Sequence, residues 1–315
     1  MHGPGLWDVF PSAAAATGTP GFSNVLRLPK SSMVVVCLVD GLGARQLEEH
    51  QDLFPSLKGS AGESVSAPFP TTTSTGLASL GTGLMPGIHG FVGAAFWLPE
   101  ADQVLSPLRW PERIIPEAVQ PESTVFQRIA RRRRLAASIG PAAYQSSGLT
   151  RSVLRGSAYW PAVDVQDYID ALQFLRQHDR PELVYVYWPH LDRAGHEFGV
   201  ASEEWKAATA RADRLISGLR GVLAPSGLLV VTADHGMVNC SRRMWIESDP
   251  SLLTDVHRIA GEPRMRHVYC APRSLAQVRA RWEERVGEYA QVLTRAEAVD
   301  GGLFGAVDPL ILDRI

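Results

Sequence analysis

The stretch MVVVCLVDG, Met33 to Gly41, is an unbroken apolar run that ends in an Asp-Gly turn. Apolar side chains at every position, rather than at alternate positions, predict a strand covered on both faces, as in a parallel sheet. Two further runs have the same form, ELVYVYW (Glu182 to Trp188) and GLLVVTADHG (Gly227 to Gly236), and LAASIG and RHVYCAP are weaker candidates. Together these runs predict a central, mostly parallel sheet.

Helical patterns separate the predicted strands. SEEWKAATARADRLISGLRGVL, residues 202–223, carries apolar side chains near helical spacing, and Pro225 to Gly227 stops it before the next strand. The alternating order predicts an α/β sandwich, in which helices flank the sheet. Residues 86–123 are rich in Pro, Gly and aromatic residues, which favours a small loop-rich cap insertion. We therefore expect residues 1–315 to form a single α/β domain.

Composition limits the class of protein. The chain has 315 residues, with 31 basic and 33 acidic side chains and a net charge of −2. This balance gives no reason to expect a nucleic-acid polymer or a membrane as partner. No signal peptide or long apolar span is visible, and three cysteines occur without a CxxC pair. These features predict a reduced, cytoplasmic protein, and they leave its oligomeric state open.

Polar residues follow three of the predicted strands. Asp40 ends the first, Asp192 and His196 follow the second, and Asp234 with His235 ends the third. Each alone would be an ordinary turn or helix cap. In open α/β sheets, however, ligands bind beyond the carboxyl ends of the strands, so we expect these residues to meet. Clustered carboxylates would repel one another, which predicts one or two divalent metal ions, most simply zinc, with manganese or iron as alternatives.

A hydroxyl-rich turn, TTTST at residues 71–75, follows a short predicted strand, ESVSAPF, and opens a predicted helix. A Thr at a helix N-terminus lies at the positive end of the helix dipole, close to free backbone N–H groups. Coordination to a metal would favour its alkoxide and make it a nucleophile. Taken alone, the segment would be a capping turn.

Four motifs occur in order along the chain: LVDGLG, FPTTTSTGLASLGTGLMPGIHG, LDRAGHEFG and TADHGM. Together they resemble the alkaline phosphatase superfamily, specifically its type I phosphodiesterase/nucleotide pyrophosphatase branch. The resemblance implies an alkaline-phosphatase-like sandwich and a metal-dependent hydrolase that acts on a small-molecule phosphoester.

The resemblance also implies roles for residues. One metal would be held by Asp40, Thr73, Asp234 and His235, and the other by Asp192 and His196. Thr73 would attack the phosphorus and form a phospho-threonyl intermediate that water then hydrolyses. Thr71 and Thr72 are the alternatives if the register of the motif is shifted.

One part of the family pattern is missing after TADHGM. Family members complete the second metal site with a His in a His-Gly context near the C-terminus, whereas the later histidines here are His257 and His267. The C-terminal part of the family fold is therefore expected to be short. His267, in RMRHVYC, is a candidate for the third ligand, and water, substrate or a neighbouring chain are the others. Two alternative functions follow, a catalytically weak relative that binds metal or ligand, and a phosphonate hydrolase of the same superfamily.

Overall fold

The computed structural model describes residues 3–315. Its strands are β1 (Val34–Val39), β2 (Phe96–Leu98), β3 (Gln103–Leu105), β4 (Ala136–Pro141), β5 (Ala158–Ala162), β6 (Leu183–Trp188), β7 (Leu228–Thr232), β8 (Val256–Glu262) and β9 (Met265–Cys270). Its α-helices are α1 (Val9–Ala16), α2 (Ala44–Glu49), α3 (Thr73–Thr82), α4 (Pro86–His89), α5 (Pro116–Val119), α6 (Val125–Ala130), α7 (Gly148–Val153), α8 (Val165–Gln177), α9 (His190–Phe198), α10 (Glu203–Leu223), α11 (Leu275–Val286) and α12 (Arg295–Asp300).

The central sheet has five parallel strands in the order β5-β4-β6-β1-β7. Its second-last strand, β1, pairs with β6 on one side and with β7 on the other, so that Cys37 lies opposite Val186 and Val231. Helices cover the sheet, which confirms the predicted α/β sandwich. Because the strands run in one direction, the carboxyl ends of β1, β6 and β7 lie at the same edge.

The unbroken apolar run of β1 has a simple explanation, because alternate side chains enter two different cores. Val34, Val36 and Leu38 pack with residues of α1, α3 and α6. Val35, Cys37 and Val39 pack on the opposite face with residues of α8, α9 and α10. The predicted helix at 202–223 is α10, and Ser202 caps it by accepting a hydrogen bond from the Trp205 N–H at 3.1 Å. Within residues 3–315, no helix combines the length and apolar character needed to cross a bilayer.

Three strand predictions differ from the structure. Every residue of β7 is only half-buried, because β7 lies at the edge of the sheet and β1 is its one strand partner among the described residues. The run RHVYC lies in β9, which pairs antiparallel with β8 in a separate two-stranded sheet. ESVSAPF forms no strand and makes an isolated bridge from Ser66 to Gly5. Prolines at 68 and 70 limit pairing there, since proline lacks an N–H donor.

Residues 86–123, the predicted cap, contain the β2–β3 hairpin and are joined to the C-terminal part of the chain. The Gly261 N–H donates to the Ala95 carbonyl at 2.9 Å, and the Trp97 N–H donates to the Tyr269 hydroxyl at 2.9 Å. The Arg314 guanidinium, 5% exposed, donates to the Val119 carbonyl at 2.9 Å and to Glu100 at 2.9 Å. The cap segment and the C-terminal segment therefore stabilise each other.

Replacing Arg314 with Met should lower the free energy of unfolding by about 2–4 kcal/mol, because buried carbonyl acceptors lose their donor. Arg295→Met is the matched control, since Arg295 pairs with Asp313 on the exposed surface. That variant should change the free energy of unfolding by only ~0.5 kcal/mol. Urea unfolding measures both, and equal effects would contradict the anchoring role of Arg314.

Candidate active site

The sequence-predicted residues Asp40, Asp234 and His235 lie together beyond the carboxyl ends of β1 and β7. They are 2%, 0% and 8% exposed, respectively. One ligand atom of each lies within 4.8 Å of the others. His235 Nε2 is 3.5 Å from Asp40 Oδ1 and 3.6 Å from Asp234 Oδ2. Two buried carboxylates and one imidazole thus point into one small space.

The donor set in this space fits a divalent cation. Asp40 Oδ1 and Asp234 Oδ2 are buried and have no hydrogen-bond partner among the described residues. The other oxygen of Asp234, Oδ1, accepts from the backbone N–H groups of Gly41 at 3.3 Å and His235 at 3.1 Å. Each aspartate therefore presents one free oxygen. Buried charges without partners are costly, and carboxylate oxygens with an imidazole nitrogen are ligands that zinc accepts.

The hydrogen bonds of His235 fix the state of its ring. Nδ1 lies 3.0 Å from the Gly236 carbonyl oxygen, which can only accept, so Nδ1 carries the proton. In the neutral imidazole, Nε2 then has its lone pair free on the side of the two carboxylates. A backbone carbonyl that orients a ligating histidine in this way is a common feature of metal sites.

Thr73 brings a hydroxyl to the same atoms. Its Oγ1 lies 3.2 Å from His235 Nε2, and Thr73 is the first residue of α3. Thr72 is the N-cap, because its hydroxyl accepts from the Thr75 N–H, whereas Thr71 is exposed. The structure therefore distinguishes the three threonines by position, and of these three Thr73 is the one that contacts His235.

Glycine makes the close approach of α3 possible. A Cβ added to Gly76 would lie 2.7 Å from Asp234 Cβ, closer than real side chains pack. Gly41 has φ +77° at the turn after β1, and a Cβ there would lie 3.0 Å from Met237 Sδ and 3.2 Å from Asp192 Cα. A side chain at either glycine would push apart the elements that form the site.

Asp192 and His196 form a second, more open pair. They lie one turn apart on α9, with His196 Nε2 3.4 Å from Asp192 Oδ1. The Asp192 side chain is 17% exposed and the His196 side chain is 72% exposed. Among residues 3–315, no third His, Cys, Asp or Glu joins this pair within ligand distance. The pair is nevertheless adjacent to the buried cluster, because a Cβ added to Gly41, the residue after Asp40, would lie 3.2 Å from Asp192 Cα.

His267, the candidate third ligand, lies elsewhere. It is buried in β9, 5% exposed, and its Nε2 hydrogen-bonds to the Val92 carbonyl at 2.9 Å. Burial lowers the pKa of His267 to about 4. In this position the ring joins β9 to the cap segment rather than to Asp192 and His196. His89 is also buried, with its ring 2.9 Å from the Ser79 hydroxyl, and it holds α4 on α3.

Sequence reasoning missed Tyr187. Its hydroxyl donates to Asp40 Oδ2 at 2.5 Å, across the pairing of β6 with β1. An apolar-looking strand gives no signal for such a contact, since it depends on which strands are neighbours and in which register.

Two carboxyl groups of the site, Asp40 and Asp192, have raised pKa values. Burial, and then the charges of Asp234 and Asp192, raise the pKa of the Asp40 carboxyl well above its usual range. Burial likewise raises the pKa of Asp192. In both cases the charged form is disfavoured by loss of water and by like charges. A bound cation would remove this penalty.

A parallel α/β sandwich with clustered Asp, His and Thr side chains at the carboxyl edge places the chain in the alkaline phosphatase superfamily. The family model for type I phosphodiesterase/nucleotide pyrophosphatase matches residues 34–313, and the chain belongs to that family.

Two relatives agree with this assignment. An uncharacterised pyrophosphatase/phosphodiesterase of Schizosaccharomyces pombe is 26% identical over 274 residues, which cover 76% of this chain and 52% of that protein. Human ectonucleotide pyrophosphatase/phosphodiesterase family member 7 is 30% identical over 111 residues, 33% of this chain and 24% of that protein. The chain thus spans about half the length of the first relative and a quarter of the second.

The fold is similar to that of ectonucleotide pyrophosphatase/phosphodiesterase 5. An inactive form of the mouse protein in complex with AMP has a TM-score of 0.65 at 18% identity, covering 90% of this chain and 76% of that chain. The human protein has a TM-score of 0.64 at 19% identity, covering 80% and 69%.

Removing the charge of Asp40 should stabilise the metal-free protein. Because the folded-state pKa of Asp40 lies above its unfolded value, its ionisation destabilises the fold, and this cost grows as pH rises from the unfolded-state pKa to the folded-state pKa and stays constant above it. With a chelator at pH 8, Asp40→Asn should therefore raise the free energy of unfolding by about 1–3 kcal/mol. The gain should shrink as pH falls toward the ordinary aspartate range.

Urea unfolding at several pH values measures this difference. Asp52→Asn, at an exposed position, is the control and should change the free energy of unfolding by less than ~0.5 kcal/mol. An Asp40→Asn variant that is no more stable than the native protein at pH 8 without metal would contradict the predicted repulsion.

Proposed function

We propose that this chain is a metal-dependent phosphoester hydrolase in which Thr73 is the nucleophile. The observation that carries the proposal is the shared space at the sheet edge. Two buried carboxylate oxygens without partners and the Nε2 of His235 surround it, with the Thr73 hydroxyl 3.2 Å from that nitrogen. This is a donor set for a cation with a hydroxyl nucleophile beside it. Family membership supports phosphoester chemistry for such a site.

Residues of two groups would hold the metal ions. Asp40, Asp234, His235 and Thr73 would bind one ion, and Asp192 with His196 would bind the second. Zinc suits these ligands best, with manganese or iron as alternatives. When bound, the ions supply positive charge that favours the Thr73 alkoxide and neutralises the developing charge on the phosphoryl group.

The protein's own residues then account for the steps. The Thr73 hydroxyl loses its proton to solvent, and Oγ1 forms a bond to phosphorus as the bond from phosphorus to the leaving oxygen breaks. The leaving group takes up a proton and departs as an alcohol, which leaves a phospho-threonyl enzyme. Water then loses a proton as it attacks phosphorus, the bond from phosphorus to Oγ1 breaks, Oγ1 takes up a proton to restore the hydroxyl, and phosphate or its monoester departs. The N-terminus of α3 presents free N–H groups and the positive end of its dipole to the transferred group. His235, oriented by the Gly236 carbonyl, keeps its Nε2 directed at Thr73.

The substrate we propose is a small soluble phosphoester. AMP in the mouse structure supports a nucleotide as one candidate, and the chemical group attached to the phosphate is not specified by this proposal.

We further propose that residues 86–123 cap the site within a single domain, because the Ser74 hydroxyl donates to the Gly93 carbonyl at 2.9 Å. A reducing, cytoplasmic location fits the buried, unpaired Cys37.

A catalytically weak metal-binding relative is the second candidate. The exposure of His196 favours it, since a pair of ligands with one member open to water binds a cation less firmly than a buried set. Turnover assays with added zinc separate the two functions.

Thr73→Ala should reduce the hydrolysis of bis(p-nitrophenyl) phosphate by at least about 10³-fold, because the nucleophile is removed while the carboxylates remain. Thr71→Ala is the matched control on the exposed side of the same turn and should keep the rate within about threefold. A Thr73→Ala variant with undiminished turnover would contradict the assignment and would point to Thr72. Phospho-threonine trapped at acid pH and located by mass spectrometry would identify the nucleophile directly.

Metal content should reveal two unequal sites. After dialysis we expect one equivalent of zinc to stay bound, and a second to require roughly ten- to a hundredfold more free zinc, because its protein ligands are fewer and one of them, His196, is exposed. Phosphodiester turnover should rise as the second site fills. Parallel assays with p-nitrophenyl phosphate and an aryl phosphonate ester distinguish diesterase, monoesterase and phosphonate hydrolase. If none of these three substrates is turned over at excess zinc, the result would contradict the proposed hydrolase and favour the metal-binding protein.

A further inference from the structure

The Tyr187 hydroxyl donates a hydrogen bond to one oxygen of the Asp40 carboxylate, Oδ2, at 2.5 Å. The other oxygen, Oδ1, has no hydrogen-bond partner among the described residues and faces His235 Nε2 at 3.5 Å. The two oxygens of Asp40 are therefore in different environments. One is occupied by a protein donor, and the other is left free toward the cation site.

The position of Tyr187 is set by the sheet. Tyr187 pairs with Leu38 in the register of β6 and β1, and the Asp40 N–H donates to the Trp188 carbonyl at 3.0 Å. The ring is held between two others, with centroids 6.2 Å from Tyr185 and 6.0 Å from Tyr144. Neither Tyr187 nor Asp40 can move far without breaking the strand pairing, so the hydroxyl is a fixed donor rather than an adaptable one.

A fixed donor has a defined effect on a carboxylate ligand. Asp40 could otherwise rotate about its Cβ–Cγ bond and offer either oxygen to the cation or to neighbouring groups. A charge-assisted hydrogen bond on Oδ2 restricts this rotation and lowers the cost of burying the negative charge. Groups in this position around metal ligands commonly change metal affinity by 10–100-fold.

We propose that Tyr187 is a positioning residue for Asp40, which holds the carboxylate with Oδ1 directed at the cation and so sets the metal affinity of the buried site. This inference rests on the proposed function, since it concerns the same metal site. It assigns Tyr187 no contact with substrate.

The chain offers a matched pair of variants. Tyr187→Phe removes the hydroxyl that donates to Asp40. Tyr185→Phe removes a hydroxyl two residues away on the same strand, also buried, which has no hydrogen-bond partner among the described residues. Both variants lose one phenolic hydroxyl group, but only Tyr187→Phe loses a hydrogen bond to a proposed metal ligand, Asp40.

Zinc affinity is measured by competition with a chromophoric chelator, alongside urea unfolding of the metal-free proteins. Tyr187→Phe should weaken zinc binding at the tight site by about 10–100-fold, whereas Tyr185→Phe should stay within about threefold of the native protein. With cobalt in place of zinc, the visible spectrum should change for Tyr187→Phe only, because the geometry of Asp40 as a ligand changes. At saturating zinc, turnover by Tyr187→Phe should return to within about threefold of native, as expected of a residue that acts through the metal ligand.

Equal zinc affinity of the two variants would overturn the positioning role while leaving the proposed function in place. A turnover defect in Tyr187→Phe that persists at saturating zinc would overturn it as well, because Tyr187 would then act on the substrate or the reaction itself. A native protein that binds no zinc and turns over no phosphoester would overturn the proposed function, and this inference with it.

Discussion

The structure depends on one electrostatic constraint, the burial of two carboxylates at the edge of a parallel sheet. Asp40 and Asp234 are almost fully buried, and each keeps one oxygen without a protein partner. Burial, and then the neighbouring charge of Asp234, raise the pKa of the Asp40 carboxyl and disfavour its charged form. A protein that places them together needs a compensating charge, and the surrounding residues are arranged so that a cation can supply it.

This constraint accounts for the packing around the site. The turns after β1 and β7 approach each other closely to bring Asp40 and Asp234 together, and glycines at 41, 76 and 195 lie where these turns meet α3 and α9. Gln46 joins two of the loops, because its side chain donates to the Met237 carbonyl at 2.8 Å and accepts from the Met237 N–H at 3.2 Å. Met237 itself fills the space beside Gly41 and Gly195. Close packing therefore explains why these motif positions are glycines, independently of any contact with substrate.

The sequence alone allowed the prediction of features that depend on local pattern. The apolar run at Met33 to Val39 implied a strand buried on both faces, and polar residues after three such runs implied a shared edge. Features that depend on long-range neighbours could not be predicted. The half-buried state of β7 follows from its place at the sheet edge, and the pairing of β8 with β9 in a separate hairpin follows from tertiary contacts. Tyr187 and His267 belong to the same category, since their partners Asp40 and Val92 are about 150 residues or more distant along the chain.

The two halves of the site differ in a way that links geometry to function. The set around Asp40 lies in a low-dielectric environment, where the attraction between carboxylates and a cation is strong. His196, 72% exposed, competes with water for any ion it binds. Under the proposed function, a phosphoester would have to reach Thr73 from solvent, and an entirely closed cluster would exclude it. On α9, His196 is exposed and Asp192 lies beside the buried set, with its Cα 3.2 Å from a Cβ added to Gly41. Under the proposed function, the exposure of His196 would weaken the second metal site and would at the same time leave that side of the cluster open to substrate, whereas the burial of the first set would keep one ion in place when the second is absent.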